Sequence, residues 1–501
     1  MDVITELLQP VALLSLVLGT LAGLVIGAIP GLSVTMAIAL LIPVTFTMDT
    51  VPGLVLLISV YVAGVYGGSV AAILLRTPGT PAAAATAMDG YPMTQQGKGA
   101  KAIRIATVGS VVGGLFSGLV LIVAAPLLSR VSLMFGAAEY FLIAVFALVA
   151  IGGLAGGSFL LGVAAALIGL LIGVIGMDTQ TGVTRYTGGM QDLQSGIQLI
   201  PAMIGLFSIS QVFRMMYQDR QQKLASTDRG TGDFSSGEFR KLVPTFAKSS
   251  TIGVFVGVLP GAGENIGAWM AYNEARRSSK DKSKFGKGAI EGVAAPETAN
   301  NSVVGAALIP TLTLGVPGSA ATAVLLGGLI IQGMAPGHEL FTRYATETYS
   351  MISAYMVATV LMGAIGLLLV PYVVRLTTLP PRLVALVIMV LAVVGTYSFR
   401  NSYFDVIVMV IFGVFGWFIE RVGINPAPVI LGMILGPMAE SGFRRSLVMA
   451  GDQNLAIFYL SDPLRIALIS MILIVCLVPL LRILRARGQK RRITSSTVAI
   501  M

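Results

Sequence analysis

The stretch Gly27-Ala28-Ile29-Pro30-Gly31 recurs as Gly257-Val258-Leu259-Pro260-Gly261, and both copies interrupt runs apolar enough for a membrane. A second signal follows each copy. It is Ser69 and then Thr77-Pro78-Gly79-Thr80 in the first case, Ser302 and then Val316-Pro317-Gly318-Ser319 in the second. Proline removes a backbone donor and glycine releases the helix, so each signal frees main-chain polar groups at membrane depth. Lipid cannot satisfy such groups, and the broken backbone must line a protein-enclosed or watery cavity. Paired interruptions at corresponding places in two halves point to the binding site of a secondary transporter.

Composition sets the same class. Of 501 residues, 55% are hydrophobic and only 11% charged, against roughly 25% charged in a soluble domain. Apolar runs such as Val11 to Ile29, Ile105 to Leu128, Val360 to Val374 and Ile466 to Leu481 recur along the chain. Each is near the ~20 residues a helix needs to cross the hydrocarbon core, which gives about 11 to 13 passes. The first run lacks a basic flank and carries Asp2 and Glu6, so it reads as a retained helix rather than a signal peptide. A single cysteine, Cys476, excludes an internal disulfide framework, and a single histidine, His338, excludes a histidine-rich metal site. The net charge of +10 belongs to loops between membrane segments and is no nucleic-acid signal.

Basic clusters at Lys98 to Arg104, Arg214 to Lys248, Arg276 to Lys287 and Arg482 to Arg492 are expected in the cytoplasm. Acid-bearing loops near Asp49, His338 to Glu347, and Asp452 to Asp462 are expected outside. Matched positions in the two halves thus carry opposite charge bias, which predicts inverted repeats. A third match, Gly176-Met177-Asp178 against Gly423-Ile424-Asn425, keeps the register. The predicted fold is all-α and polytopic, with two inverted repeats containing broken helices or re-entrant hairpins. Residues 1–217 form the first repeat, 218–248 a polar cytoplasmic linker, 249–462 the second repeat. Residues 463–501 add a further helix and a basic tail, which parity requires, and the scheme implies a periplasmic N-terminus.

The four breaks supply the candidate site. Pro30, Gly31 and Ser33, with Pro260, Gly261, Ala262 and Gly263, place backbone N–H groups beside helix starts, where an anion is favoured. Thr77, Pro78, Gly79 and Thr80, with Pro317, Gly318 and Ser319, read as hairpin tips whose N–H and hydroxyl groups grip a carboxylate. Ser69, Asn301 and Ser302 add hydroxyl and amide groups, which hold charge without burying any; interhelical bonding is their alternative role. Glu264, Asn265 and Asn300 offer oxygen ligands to a small hard cation such as Na+, while Glu264 as a helix cap is the plainer reading. Pro296-Glu297-Thr298 reads as a helix entry. Arg76 either meets substrate or snorkels to the cytoplasmic interface. No Walker lysine accompanies GVLPGAGEN, so no nucleotide site is expected.

At these residues the chain resembles the large membrane subunit of the tripartite tricarboxylate transporter family, the TctA family. The likeness rests on GAIPGLS at Gly27 to Ser33, on Tyr66 to Met93, on GVLPGAGENIGAWMAYNEAR at Gly257 to Arg276, and on Gly292 to Gly328. The resemblance implies a bacterial inner-membrane symporter for a citrate-like di- or tricarboxylate, driven by an ion gradient. It further implies a small four-helix membrane partner and a periplasmic substrate-binding protein, with no ATPase and no cofactor beyond the coupling ion. A channel would need a continuous polar lining, and here polar residues cluster. An intramembrane enzyme would need a carboxylate pair, a Ser/His dyad or a metal set, and the acidic residues avoid the apolar cores.

Overall fold

A computed structural model describes residues 2–152, 159–178, 181–217, 234–261, 263–376 and 380–477. Ala262, residues 218–233 of the linker and the basic cluster Arg482 to Arg492 lie outside them. The described residues are helical apart from loops and one antiparallel pair, β1 (Gly176–Met177) and β2 (Thr184–Arg185). Among the described residues seven helices are long and apolar enough to cross a membrane: Pro10–Ala28, Thr50–Leu75, Gly99–Met134, Leu199–Met216, Ala345–Leu368, Pro381–Arg400 and Tyr403–Arg421. Shorter apolar helices such as Val34–Thr45 and Ala320–Ile331 accompany them. These two are the second arms of broken segments, cut by proline and glycine below spanning length.

Nine helices frame the breaks. In chain order they are α1 (Pro10–Ala28), α2 (Val34–Thr45), α3 (Thr50–Leu75), α4 (Ala83–Gln95), α5 (Gly99–Val131), α6 (Ser236–Val258), α7 (Gly263–Ser278), α8 (Ile290–Leu314) and α9 (Ala320–Ile331). The breaks lie between α1 and α2, α3 and α4, α6 and α7, and α8 and α9. All four sit in one compact unit, built from residues 1–133 and 197–421. Pro296 stands inside α8 rather than at its start. The helix enters earlier, at Ile290, and Gly292 in its first turn has no side chain because the Asp89 carboxylate lies where a Cβ would stand.

Glycine holds this unit together. Along α1, Gly19, Gly23 and Gly27 face the backbone carbonyls of Leu56, Val60 and Gly64 on α3. A Cβ at Gly23 would fall 2.6 Å from the Val60 oxygen. Apolar side chains gain little by leaving lipid, so close backbone approach through small residues supplies the packing energy instead. Gly253 meets Ala299 of α8 and Gly257 meets Val303, which repeats the arrangement between α6 and α8. Gly23→Val is therefore expected to wedge α1 from α3 at a cost of about 3 kcal/mol. Loss of the monodisperse peak in detergent size-exclusion chromatography is the check.

Beyond the breaks the two halves exchange partners. After α5 the first half runs through a helix pair, Ala137–Gly152 and Phe159–Gly173, and then a lone helical segment of residues 199–217. The second half runs through the pair Pro381–Arg400 and Tyr403–Arg421 and then the lone helix Ala427–Ala450. In the first unit, residues 199–217 pack on the second half's pair, with Gly416 2.9 Å in Cβ terms from the Leu206 oxygen. The second unit (134–196 and 422–501) contains the reciprocal packing, where Gly169 meets Val429 and Gly432 meets Ala166. Residues 204–209 form a π-helical turn at the first of these contacts. Within the second unit Arg465 donates to Glu139 at 2.6 Å, and Arg444 bridges Asp178 and Glu440.

Candidate functional site

The four breaks form two matched pairs. Ile29 (φ −76°, ψ 118°) ends α1 and Leu259 (φ −75°, ψ 120°) ends α6 in the same extended conformation. Gly31 and Gly261 then take positive φ, at 90° and 69°. Arg76 (φ 56°, ψ 26°) ends α3 and Gly315 (φ 70°, ψ 20°) ends α8, both left-handed. Arginine is rare in that region; its side chain is exposed and lies 5.8 Å over the Tyr91 ring.

Within each half the two breaks touch through their main chains. The Gly261 N–H donates to the Pro317 carbonyl at 3.3 Å and the Gly263 N–H to that of Gly318 at 3.2 Å. In the first half, the Gly79 N–H donates to the Gly68 carbonyl at 3.3 Å, and Gly79 abuts Gly27 as Gly318 abuts Gly257. Ser33 caps α2 by accepting the Met36 N–H, and Ser319 caps α9 in a reciprocal box with Thr322. Such caps leave the other N–H groups of a first turn free for a ligand. Gln211 donates to the Gly31 carbonyl, and Arg214 in turn holds Gln211.

The halves meet at Tyr61 of α3. Its hydroxyl donates to Glu264 Oε1 at 2.8 Å and lies 3.1 Å from Ser319 Oγ. Counting back from the two left-handed caps places Tyr61 opposite Asn300, and Ser69 opposite Leu308 rather than Ser302. Asn300 is 1% exposed, yet neither atom of its amide has a hydrogen-bond partner among the described residues. Ala295 and Ala299 of α8 pack on Ala271 of α7, while Glu297 and Asn301 reach toward α3, α4 and α5. At about 100° per residue, Asn300 stands in the sector between those two faces. The Thr77 hydroxyl at the second break is likewise buried and unpartnered.

Other expected residues are already bonded. Asn301 Nδ2 donates to Ser110 Oγ at 2.8 Å and to the Glu297 carbonyl, and Ser302 donates to the Gly113 carbonyl at 3.0 Å. Both stitch α8 to α5. Asn265 is exposed, and no bond joins Glu264 to Asn300 among the described residues. Pro30, Pro260 and Thr80 are half-buried and Pro78 exposed, whereas Pro317, Gly318 and Ser319 are buried.

Two acidic side chains lie where the sequence reading expected none. Asp89 and Glu297 are 0% exposed. Asp89 Oδ1 accepts the N–H groups of Gly286, Gly288 and Ala289, each at 2.8 Å, and Oδ2 accepts the Tyr272 hydroxyl. Glu297 accepts from Ser69 of α3 and Thr86 of α4 at 2.5 Å, and from Ser110 of α5 at 3.2 Å. Taken as a first-turn residue it would be solvated; two turns into α8 it is enclosed.

A multi-pass α-helical membrane protein with four paired helix breaks in one unit has the build of a membrane transporter. The chain belongs to the tripartite tricarboxylate transporter TctA family, whose model matches residues 13–431. It is 35% identical to an uncharacterized 52.8 kDa protein of the TAR-I ttuC' 3' region in Agrobacterium vitis, over 98% of this chain and 99% of the relative. An uncharacterized protein of the TAR-II ttuC' 3' region in the same organism is 34% identical over 47% of this chain and 96% of its own length. No solved structure matches the chain.

Proposed function

We propose that the chain imports a di- or tricarboxylate of the citrate class across a bacterial inner membrane, by symport with Na+. It works with a small four-helix membrane subunit and a periplasmic binding protein that delivers the substrate, and without an ATPase. The observation that carries the reading is Asn300, a buried amide with no hydrogen-bond partner among the described residues, in the unit that gathers all four breaks. A buried polar group left unpaired costs about 1–3 kcal/mol, a cost that a ligand removes on binding.

The substrate site comprises the turns at Pro30, Gly31 and Ser33, at Thr77 to Thr80, at Pro260 to Gly263 and at Pro317 to Ser319, with Ser69, Asn301 and Ser302 beside them. Carboxylates take N–H groups at the starts of α2, α4, α7 and α9, with Asn300 donating from the facing helix. Glu264, Asn265 and Asn300 are the proposed ligands of a coupling cation beside the substrate. The matched break geometry and the exchanged helix pairs support two repeats, read as inverted from their charge bias, in residues 1–217 and 249–462. Broken segments counted as passes bring the total to about 11 to 13.

Proteoliposomes holding the chain and its small membrane partner, given the binding protein outside, labelled citrate and an inward Na+ gradient, test the proposal. Na+-dependent accumulation is expected. Failure across a panel of di- and tricarboxylates, with folded protein in the bilayer, would overturn it.

A further inference from the structure

Glu297 is fully buried in α8, and three hydroxyls converge on its carboxylate from three other helices: Ser69 on α3, Thr86 on α4 and Ser110 on α5. Among the described residues no lysine, arginine or histidine pairs with it. A carboxylate taken out of water is costly unless a positive charge accompanies it. The surroundings decide what kind of charge. The carboxylate already accepts three O–H groups, and Asn301 donates a further N–H into the cluster at Ser110. A proton would add one more donor to a donor-rich site. A metal cation adds charge and takes lone pairs, and each hydroxyl oxygen keeps one spare while it donates. All the donors are oxygen, which suits a hard ion. One carboxylate balances one positive charge and leaves a divalent ion uncompensated.

We infer that Glu297, Ser69, Thr86 and Ser110 form a site for one Na+, a second cation position distinct from Glu264. The ion is cargo, carried with the substrate. The assignment rests on the cation-coupled reading above and adds where an ion travels. Ser69 and Thr86 flank the second break, on the last turns of α3 and the first turn of α4, so the ion ties both arms of that break to the second half's α8. Loading the site strengthens the hold of the break on α8; emptying it leaves only the direct hydroxyl bonds of Ser69 and Thr86 to Glu297. The position therefore links ion occupancy to the shape of a substrate-binding turn.

The test needs no substrate. The melting temperature of the purified protein is measured in detergent at fixed pH and ionic strength, with NaCl replaced stepwise by choline chloride. The wild type is expected to melt higher in NaCl, in a saturable way. Glu297→Gln, which keeps the size but removes the charge and turns one acceptor oxygen into an amide donor, should lose most of that response. Ser110→Ala should raise the half-saturating Na+ concentration about tenfold. A Glu297→Gln protein stabilised by Na+ as strongly as the wild type, or a wild type indifferent to Na+, would overturn the site. If Glu297→Gln does not fold, an unshifted Ser110→Ala titration does the same. Absence of carboxylate uptake beside an intact, Glu297-dependent Na+ response would count against the transport reading alone.

Discussion

Asp89→Ala is expected to abolish folded protein. The carboxylate is fully buried and accepts three backbone N–H groups from the turn Gly286 to Ala289 together with the Tyr272 hydroxyl. That turn feeds α8, so one side chain of the first half fixes where the central helix of the second half begins. Truncation leaves four donors without their acceptor. The buried Ala289 N–H and Tyr272 hydroxyl cost about 1–3 kcal/mol each, and the N–H groups of Gly286 and Gly288, nearer the surface, cost less. With the cavity left behind, the loss is a large fraction of the stability of a domain. Asn at this position keeps one acceptor oxygen and should fold with a lowered melting temperature. Tyr272→Phe, which removes a single bond, should cost about 1 kcal/mol. Fluorescence-detected size exclusion and thermal melts rank the three; an Asp89→Ala protein that elutes and melts like the wild type would show that the turn holds itself.

Asn300→Ala is expected to lower substrate uptake roughly 10- to 100-fold, as for loss of one or two hydrogen bonds to a charged ligand. Its melting temperature should stay level or rise, because the substitution removes a buried amide that has no hydrogen-bond partner among the described residues. Asn301→Ala provides the contrast. It deletes two bonds that join α8 to α5 and to itself, so uptake and melting temperature should fall together. Proteoliposome uptake paired with melts of the same preparations separates the cases. Equal stability losses in both variants would make Asn300 a packing residue.

The breaks were legible because proline and glycine act locally: Leu259-Pro260-Gly261 announces its turn wherever the chain goes. Their pairing was legible too, since the conformations of Ile29 and Leu259 follow from near-identical neighbours. Glu297 was hidden by an honest local cue. Pro-Glu-Thr is what a helix start looks like, and only the distant grip of Asp89 on Gly286 to Ala289 moves the start back to Ile290. The match of Ser69 with Ser302 followed residue type, whereas the helices follow count, and count sets Asn300 against Tyr61. The packing of residues 199–217 on Tyr403–Arg421 has no local signature at all. It depends on which glycine face meets which carbonyl about 200 residues later, and such contacts are the ones pattern reading misses.

The exchanged helix pairs carry a consequence for biogenesis. As the chain leaves the ribosome, the segment 199–217 enters the bilayer with its glycine face unoccupied, and its partners are not made until residue 421 has been added. The pair 137–173 waits longer, for the helix that begins at Ala427. Neither half is a finished object when it is complete as sequence. The nascent protein must hold open, lipid-facing grooves for most of its own translation, which is a window in which insertases and lipids act as temporary partners.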